Sequence, residues 1–207
     1  MSADRNVFVV DDDDAVRRSI RALLESDGLT TRGFESAQAF LDGFSAEDSG
    51  CLVVDVQMPG MSGLELQNHL TRQGIDLPII IITGHGDVPM AVQALKAGAF
   101  DFIEKPLDDE IFLDSVWRAL ERSEALEQEK SFVAEALAHI ALLTPREHEV
   151  LEQLVTGRPN KVIAYELGIS TRTVEAHRSR VMEKMQSRSL SHLVRMAIAA
   201  GIEPQSG

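Results

Sequence analysis

The sequence predicts a doubly wound α/β domain with a five-stranded parallel sheet, joined by a helical linker to a smaller all-α domain. Up to about residue 122, apolar strand-like runs alternate strictly with stretches whose apolar residues have helical spacing. Several strands are apolar throughout, as expected when helices cover both faces of a parallel sheet. Beyond that point no strand signal remains. We therefore divide the chain into domains at 1–122 and 143–207, with a linker at 123–142.

Five strands and five helices are predicted in the first domain, in strict alternation. The helices end near glycines or begin at capping residues such as Ser36, and Met58 to Gly63, "MPGMSG", is a loop by its Pro and Gly content. Cys51, the single cysteine, opens an apolar strand and is predicted to be a small core residue. The predicted strands are 7–10, 30–34, 51–54, 79–82 and 100–103, and the predicted helices begin near 15, 37, 64, 88 and 111.

Composition excludes several classes of protein. The chain has 207 residues, of which 44% are hydrophobic, which is enough for packed cores. No apolar run approaches the ~18 residues of a membrane span, and the polar N-terminus does not resemble a signal peptide. A single cysteine excludes an internal disulfide and a Cys-rich zinc site. These observations predict a soluble, cytoplasmic protein with no membrane partner.

Charge is distributed unevenly along the chain. Residues 1–130 hold 25 acidic and 11 basic residues, whereas residues 158–195 hold 3 acidic and 8 basic ones. The net charge of −13 therefore combines an acidic N-terminal part with a basic C-terminal part. Such asymmetry favours a nucleic-acid contact in the basic part, although an ordinary solvated surface would also account for it.

Polar side chains follow four of the five predicted strands. Asp11 and Asp12 follow the first strand, Asp55 the third, Thr83 the fourth and Lys105 the fifth. Because the carboxyl ends of parallel strands share one edge of the sheet, these groups are expected to converge. Clustered carboxylates need a cation, and oxygen ligands suit Mg²⁺ or Mn²⁺. An aspartate in such a pocket can act as a nucleophile that forms an aspartyl phosphate, with the ammonium and hydroxyl binding the phosphoryl group.

The four consecutive aspartates that begin this pattern are predicted to have two roles. Asp11 and Asp12 leave the strand at the acidic pocket. Asp13 and Asp14 fall at the start of the following helix, where an aspartate can cap free N–H groups and complement the helix dipole. We expect the first pair to serve function and the second pair to serve local structure.

Residues 5 to about 122 resemble the receiver domains of two-component response regulators, which have a flavodoxin-like fold. The resemblance rests on Asp11-Asp12, on "VVDVQMPGMSGLE" around Asp55, on "IITGHGD" with Thr83 and on "DFIEKP" with Lys105. It implies that Asp55 accepts a phosphoryl group from a sensor histidine kinase. It further implies that Asp12, Asp55 and the backbone carbonyl of Gln57 are metal ligands, with Asp11 in support. Thr83 and Lys105 would contact the phosphoryl group. The resemblance also implies a cis peptide at Lys105-Pro106.

The resemblance also implies a switch. The family couples the position of Thr83 to an aromatic residue three positions before the lysine, which is Phe102 here; a plain core role for Phe102 is equally compatible. Because a phenylalanine lacks the hydroxyl that a tyrosine would carry, only its ring packing can signal. Gln57 and His85 lie at positions that tune hydrolysis of the phosphoryl group in this family.

The rear segment "NKVIAYELGISTRTVEAHRSRVMEKM", residues 160–185, has the pattern of a helix-turn-helix. Gly168 ends a first helix, and Ser170 or Thr171 caps a second. A helix of this kind fits the major groove of DNA, where its N-terminal part can reach base edges. The residues predicted to point inward are Val162, Ile163 and Leu167 on the first helix and Val174, Val181 and Met185 on the second.

Residues 143 to 201 resemble the LuxR-type DNA-binding domain, with "LTPREHEVL" at the start and "TVEAHRSRVMEKM" as the recognition helix. Glu175 is acidic where relatives often carry lysine, so it is predicted to accept from a cytosine amino group. The last helix, 190–200, would supply the family's dimer contact. The predicted DNA-binding residues are Lys161, Thr171, Arg172, Thr173, Glu175, Ala176, Arg178, Ser179 and Lys184.

These features predict a transcription regulator rather than an enzyme. Phosphorylation at Asp55 is expected to favour a homodimer that binds double-stranded promoter DNA and acts on RNA polymerase. A hydrolase of the haloacid type would need a second carboxylate in a D-x-D pair, and "DVQ" at 55–57 supplies one. A signalling adaptor without DNA binding is the other alternative. In the linker, Val133, Leu137 and Ile140 have helical spacing, which fits either a dimer contact or a solvated connecting helix.

Overall fold

The computed structural model describes residues 5–45, 48–84 and 88–202. The chain forms two compact units, Met1–Glu127 and Gln128–Gly207, which we call the front unit and the rear unit. No helix in the described ranges is long and apolar enough to cross a membrane.

The front unit contains the predicted parallel sheet. All four strand pairings are parallel and the strand order is β2-β1-β3-β4-β5, as in doubly wound folds. The strands β3 and β4 are buried along their whole length because helices cover both faces, and their sequences are apolar up to the last residues, Asp55 and Thr83. The strands are β1 Asn6–Val10, β2 Thr30–Phe34, β3 Cys51–Asp55, β4 Ile79–Thr83 and β5 Asp101–Glu104.

In the described ranges of the front unit, five helices pack against the sheet and define two hydrophobic cores. One core contains Phe8, Phe40 and Ile81 on the face covered by the second, third and fourth helices. The other contains Val9, Ile80 and side chains of the first and fifth helices. The doubly wound prediction is thus confirmed. The helices are α1 Asp14–Ser26, α2 Ala37–Gly43, α3 Gly63–Arg72, α4 Val88–Lys96 and α5 Asp109–Ile140.

Asp13 is the N-cap of α1, as predicted. Its side chain accepts hydrogen bonds from the backbone N–H groups of Ala15 at 2.8 Å and Val16 at 3.2 Å. These bonds hold the pKa of the Asp13 carboxyl below its ordinary value. Asp14 lies in the first turn and forms ion pairs with Arg17 and Arg18. Both residues therefore stabilise the helix start.

Asp13→Ala is expected to lower the stability of the front unit modestly, because two N–H groups of α1 lose their acceptor. Urea unfolding followed by the fluorescence of Trp117, the single tryptophan of the chain, measures the change. The difference from wild type should be present at neutral pH and fade as pH falls below the ordinary Asp pKa, since the folded pKa is lowered. Equal urea midpoints at neutral pH would show that the cap contributes nothing.

Helix α5 extends through most of the predicted linker and ends at Ile140. Its front part is tied to the sheet by the buried hydroxyl of Ser123, which accepts the backbone N–H of Gly50 at 3.1 Å. Its last turns belong to the core of the rear unit, where Ala136 is fully buried and Phe132 and Ile140 pack beside it. The interpretation of 123–142 as a solvated connection is therefore wrong for the turns around Ala136. Leu137 is half exposed.

The described part of the rear unit, up to residue 202, contains four further helices, as predicted. They are α6 Pro145–Val155, α7 Asn160–Glu166, α8 Thr171–Lys184 and α9 Leu190–Ala199. Thr144, Ser170 and Ser189 are side-chain N-caps, and Thr144 forms a capping box with Glu147. Val150, Ile163, Val174 and Val181 are among the fully buried core residues. Val162, predicted to face the core, is 38% exposed, because Ile163 and Ala164 fill the inner face of this short helix.

Candidate functional site

The carboxyl ends of the strands bring the predicted pocket residues together. Asp11 follows β1 directly, and Asp55 and Thr83 are the last residues of β3 and β4; all three side chains are buried. Lys105 follows β5, and its Nζ lies 2.8 Å from Asp11 Oδ2 and 2.7 Å from Asp55 Oδ1. Asp11 and Asp55, which are 44 positions apart in sequence, therefore share one ammonium group. The predicted cis peptide at Lys105-Pro106 is present.

The ammonium of Lys105 explains how buried carboxylates coexist at this edge. Burial raises the pKa of Asp11, and the Lys105 ammonium and the N–H of Asp13 only partly offset that effect. For Lys105, burial acts to lower the pKa, but the hydrogen bonds and charges of Asp11 and Asp55 outweigh it, so the pKa is raised. The pocket is thus an acidic cluster that already holds one positive charge.

The chemistry of these donors fits a hard cation. The carboxylates of Asp11 and Asp55 are at the pocket, and Asp12 next to Asp11 is exposed, so its carboxylate is accessible. Mg²⁺ prefers such oxygen ligands and keeps several waters. Within the described ranges, no group of three or more His, Cys, Asp or Glu side chains is already arranged as a metal cage. These oxygen ligands fit Mg²⁺ by their chemistry. Because Lys105 lies between the two buried carboxylates, the final arrangement of the ligands depends on the bound cation.

Gln57 and the loop after β3 are shaped by backbone contacts that the sequence patterns did not reveal. The N–H of Gln57 donates to Asp55 Oδ2 at 2.6 Å, which orients that carboxylate. Gly63, the first residue of α3, donates to the carbonyl of Val56 at 3.1 Å. A Cβ at Gly63 would lie 2.3 Å from the backbone oxygen of Asp55. Only glycine allows α3 to begin this close to the acidic pocket.

Gly63→Ala is expected to lower the free energy of unfolding by about 2 kcal/mol, because a methyl group must displace the backbone of Asp55 or the start of α3. Urea unfolding followed by Trp117 fluorescence measures this loss. Gly84→Ala is the matched control, since a Cβ there meets no atom within 4 Å. If both variants unfold at the same urea concentration, the close approach of Gly63 to Asp55 is not a constraint.

The predicted switch residues lie on adjacent strands. Thr83 is fully buried at the end of β4, and Phe102 is half-buried on β5, where it pairs with Ile81 and packs against the core around Phe8. This packing fits both interpretations of Phe102, so the switch stays a prediction. His85, predicted to tune hydrolysis, lies outside the described residues.

Helix α8 exposes most of the residues that were predicted to contact DNA. Val174 and Val181 point into the core, which leaves the opposite face of the helix to solvent. Arg178 is half-buried and donates to Asn160 Oδ1 on α7 at 3.3 Å, and Thr173 is half-buried beside the cap residue Ser170. The exposed predicted residues are Lys161 on α7 and Thr171, Arg172, Glu175, Ala176 and Ser179 on α8.

Lys184, also predicted to contact DNA, is engaged within the rear unit. Its Nζ lies 2.6 Å from Glu147 Oε2 and donates to the carbonyl of Leu142 at 3.0 Å. Glu147 is buried, and the hydrogen bond from Lys184, together with the N–H of Thr144, lowers its pKa to about 2. This ion pair joins the start of α6 to the end of α8. It argues against a phosphate contact by Lys184, whose basic charge is already compensated.

A receiver-type acidic pocket and a helix-turn-helix in one chain define a response regulator with a DNA-binding output domain. The chain matches the response regulator receiver domain family over residues 7–116 and the luxR family of bacterial regulatory proteins over residues 141–197. It therefore belongs to the response regulators that carry a LuxR-type DNA-binding domain, and within them it is of the FixJ type. This domain pair implies a histidine kinase as partner and DNA as target.

Similar proteins cover nearly the whole chain. The transcriptional regulatory protein FixJ of Azorhizobium caulinodans is 52% identical over 198 residues, which are 96% of this chain and 94% of that protein. FixJ of Rhizobium meliloti is 48% identical over 201 residues, covering 97% and 98%. Among solved structures, the response regulator StyR has a TM-score of 0.83 at 43% identity, covering 95% of this chain and 99% of that one.

Proposed function

We propose that Asp55 is the phosphoryl acceptor of this regulator. The observation that carries the proposal is the geometry of its carboxylate: Oδ1 contacts the Lys105 ammonium at 2.7 Å and Oδ2 accepts the N–H of Gln57 at 2.6 Å. A buried carboxylate held in this way has a fixed orientation and an adjacent positive charge. Both properties favour attack on a phosphoryl group whose negative charge must be stabilised.

The reaction is a transfer of one phosphoryl group from a phosphohistidine of the kinase. An Asp55 oxygen forms the new P–O bond, the P–N bond to the histidine breaks, and the leaving imidazole takes the electron pair of that bond and a proton from solvent. Lys105 then exchanges its contact with the Asp55 carboxylate for a phosphoryl oxygen, and the Thr83 hydroxyl donates to another. The regulator binds and orients the group, so we assign it a signalling role rather than a catalytic one.

A divalent cation, Mg²⁺ or Mn²⁺, would be held by Asp12, Asp55 and the backbone carbonyl of Gln57, with Asp11 in support. When bound, it supplies charge neutralisation between the acidic pocket and the incoming phosphoryl group. The exposure of Asp12 and the oxygen-only donor set support this assignment. The Lys105 ammonium shows that the pocket accommodates positive charge between its carboxylates.

The kinase is proposed to bind beside the acceptor pocket. A groove of about 370 Å³ lies between α1 and the start of α5, and Lys105 lines both the groove and the pocket. A domain that delivers a phosphohistidine to Asp55 would contact this groove. Its other lining residues are Val16, Ser19, Ile20, Leu23, Pro106, Leu107 and Asp109.

Phosphorylation is proposed to favour a homodimer through α4. This helix exposes apolar side chains at helical spacing: Val88 is 76% exposed, Val92 43% and Leu95 49%. A contiguous apolar stripe of this kind is suited to pairing with another copy. On α9, Leu190 and Ile198 are also partly exposed and would extend the dimer contact to the DNA-binding part.

The rear unit is proposed to bind double-stranded promoter DNA through α8 and, from there, to act on RNA polymerase in the cytoplasm. The exposed Thr171, Arg172, Glu175 and Ser179 would face the major groove, and Lys161 the phosphates. We retain 1–122 as the receiver domain and 143–207 as the DNA-binding domain, with 123–142 between them. The burial of Val174 and Val181 supports this orientation of α8.

One experiment tests both halves of the proposal. The full chain is incubated with Mg²⁺ and a small acyl-phosphate donor, and the same sample is analysed by intact mass and by gel shift on genomic fragments. We expect the mass of one phosphoryl group and tighter, salt-dependent retention of DNA. Absence of the added mass would contradict the acceptor assignment, and absence of any retained fragment would leave a signalling adaptor as the better description.

A further inference from the structure

The turn that carries Asp11 and Asp12 is fixed by contacts on several sides. The N–H of Asp11 donates to the carbonyl of Phe34 on β2 at 3.2 Å, and the N–H of Asp13 donates to Asp11 Oδ1 at 2.9 Å. The backbone carbonyl of Asp11 accepts a hydrogen bond from Arg17 Nη1 at 2.7 Å. A side chain of α1 therefore reaches back and holds the end of β1.

Arg17 is itself held in place. Its side chain is only 16% exposed, and its Nη2 lies 2.8 Å from Asp14 Oδ1. Its aliphatic part passes over Gly33 of β2, where a Cβ would lie 3.4 Å from Arg17 Cδ and 3.5 Å from Cγ. These are ordinary contact distances, so the aliphatic part of Arg17 lies against Gly33; the atom nearest to such a Cβ is Arg21 Cδ, at 2.9 Å.

We propose that Arg17 is a positioning residue for the cation site of the receiver domain. The Asp11 carbonyl belongs to the peptide that joins Asp11 to Asp12, so a hydrogen bond to its oxygen fixes ψ of Asp11 and φ of Asp12. The Asp12 carboxylate is exposed, and its direction follows from that backbone. This inference rests on the proposed function, because it takes Asp12 as a cation ligand. Mutation of a residue that hydrogen-bonds to a metal ligand typically weakens metal binding by about 10- to 100-fold.

Arg18 provides a matched control. It also forms an ion pair with Asp14, at 2.6 Å, but its side chain is 70% exposed. Removing either arginine removes one positive charge near an acidic pocket, and Coulomb's law alone then predicts equal or stronger cation binding. If Arg17 positions Asp12, removal of Arg17 should weaken cation binding, whereas removal of Arg18 should not. The two explanations therefore differ in sign.

The test is calorimetric titration of Mg²⁺ alone into the full chain without phosphodonor, for wild type, Arg17→Met, Arg17→Lys, Arg18→Met and Asp12→Asn. Arg17→Met keeps the apolar stem over Gly33 and should raise the dissociation constant about tenfold. Arg17→Lys keeps one donor and should recover part of the affinity, and Arg18→Met should stay within about twofold of wild type. Each titration is run at a temperature well below the thermal unfolding midpoint of that variant without metal. That midpoint is measured by Trp117 fluorescence.

The outcomes separate this inference from the proposed function. An unchanged or lower dissociation constant in Arg17→Met, with wild type binding Mg²⁺, overturns the role of Arg17. An equal loss of Mg²⁺ affinity in Arg18→Met also overturns it, since the loss would then follow from any change in α1 rather than from the contact of Arg17. If wild type binds no Mg²⁺, or Asp12→Asn binds as wild type does, the proposed cation site itself is wrong. Should Arg17→Met fold poorly, Arg17→Gln, whose side chain is too short to reach the Asp11 carbonyl, replaces it.

Discussion

Asp55→Asn is expected to take up no phosphoryl group from an acyl-phosphate donor under conditions in which the wild-type chain takes up one. A carboxamide is not a nucleophile toward phosphorus, so the group that Gln57 and Lys105 orient at position 55 can no longer attack the donor. The variant should fold, because the amide oxygen can accept the Gln57 N–H as Oδ2 does. Its amide nitrogen then faces the Lys105 ammonium, so the ion pair at 2.7 Å is lost.

The effect on DNA binding follows from this change. Asp55→Asn should retain the DNA affinity of the unphosphorylated chain but show no increase on addition of the donor. Intact mass and gel shift on one sample measure both quantities. Asp42→Asn, an exposed aspartate of α2, is the control and should be phosphorylated like wild type. Uptake at the wild-type level in Asp55→Asn would refute the assignment of the acceptor.

The second large effect is expected at Glu147 in the rear unit. Glu147→Gln should lower the free energy of unfolding of that unit by about 2 kcal/mol, because a buried charged hydrogen bond to Lys184 is replaced by a neutral one. The amide can still accept the N–H of Thr144, which Glu147 accepts at 2.9 Å. The loss therefore reports chiefly on the ion pair between α6 and α8. Glu149→Gln, a half-exposed neighbour, should have little effect.

The pH dependence gives a second measurement of the same ion pair. The pKa of Glu147 is about 2 in the folded chain against 4.5 ordinarily. Its stabilisation is therefore complete above pH 4.5 and is lost as pH falls toward 2. The stability difference between wild type and Glu147→Gln, followed by urea unfolding with circular dichroism, should shrink over that interval. A difference that stays constant from pH 7 to pH 3 would show that the charge of Glu147 is not involved.

The sequence was most informative at positions where the residue type has a single physical explanation. Apolar strands buried on both faces, caps such as Asp13 and Ser36, and polar residues directly after strands predicted the sheet and the pocket. Helix starts were predicted within a few residues, and α5 continues through the stretch that was predicted to be a helical linker, as far as Ile140. Nothing in the composition of 121–140 marks Ala136 as buried, because burial there depends on α6 to α9 packing around it.

What escaped prediction depends on contacts between distant segments. A lysine at the end of a basic helix is typical of phosphate binding, yet Lys184 pairs with Glu147, 37 positions earlier. Gly63 was recognised as a loop glycine, whereas its importance comes from the Asp55 carbonyl. Arg17 has the appearance of a solvated helix residue until its hydrogen bond to the backbone carbonyl of Asp11 is seen. Side chains that bind backbone carbonyls leave no periodic signal in a sequence.

Helix α5 also has a consequence for how the protein can be taken apart. Its anchor to the sheet at Ser123 and its first fully buried residue of the rear core, Ala136, are separated by residues that are mostly exposed. Among the residues that the structure describes, each of the three hydrophobic cores draws its members from one side of this stretch. A protease that cleaves near Lys130 would leave each core complete. The same stretch is the natural junction for chimaeras that connect this receiver to another output domain.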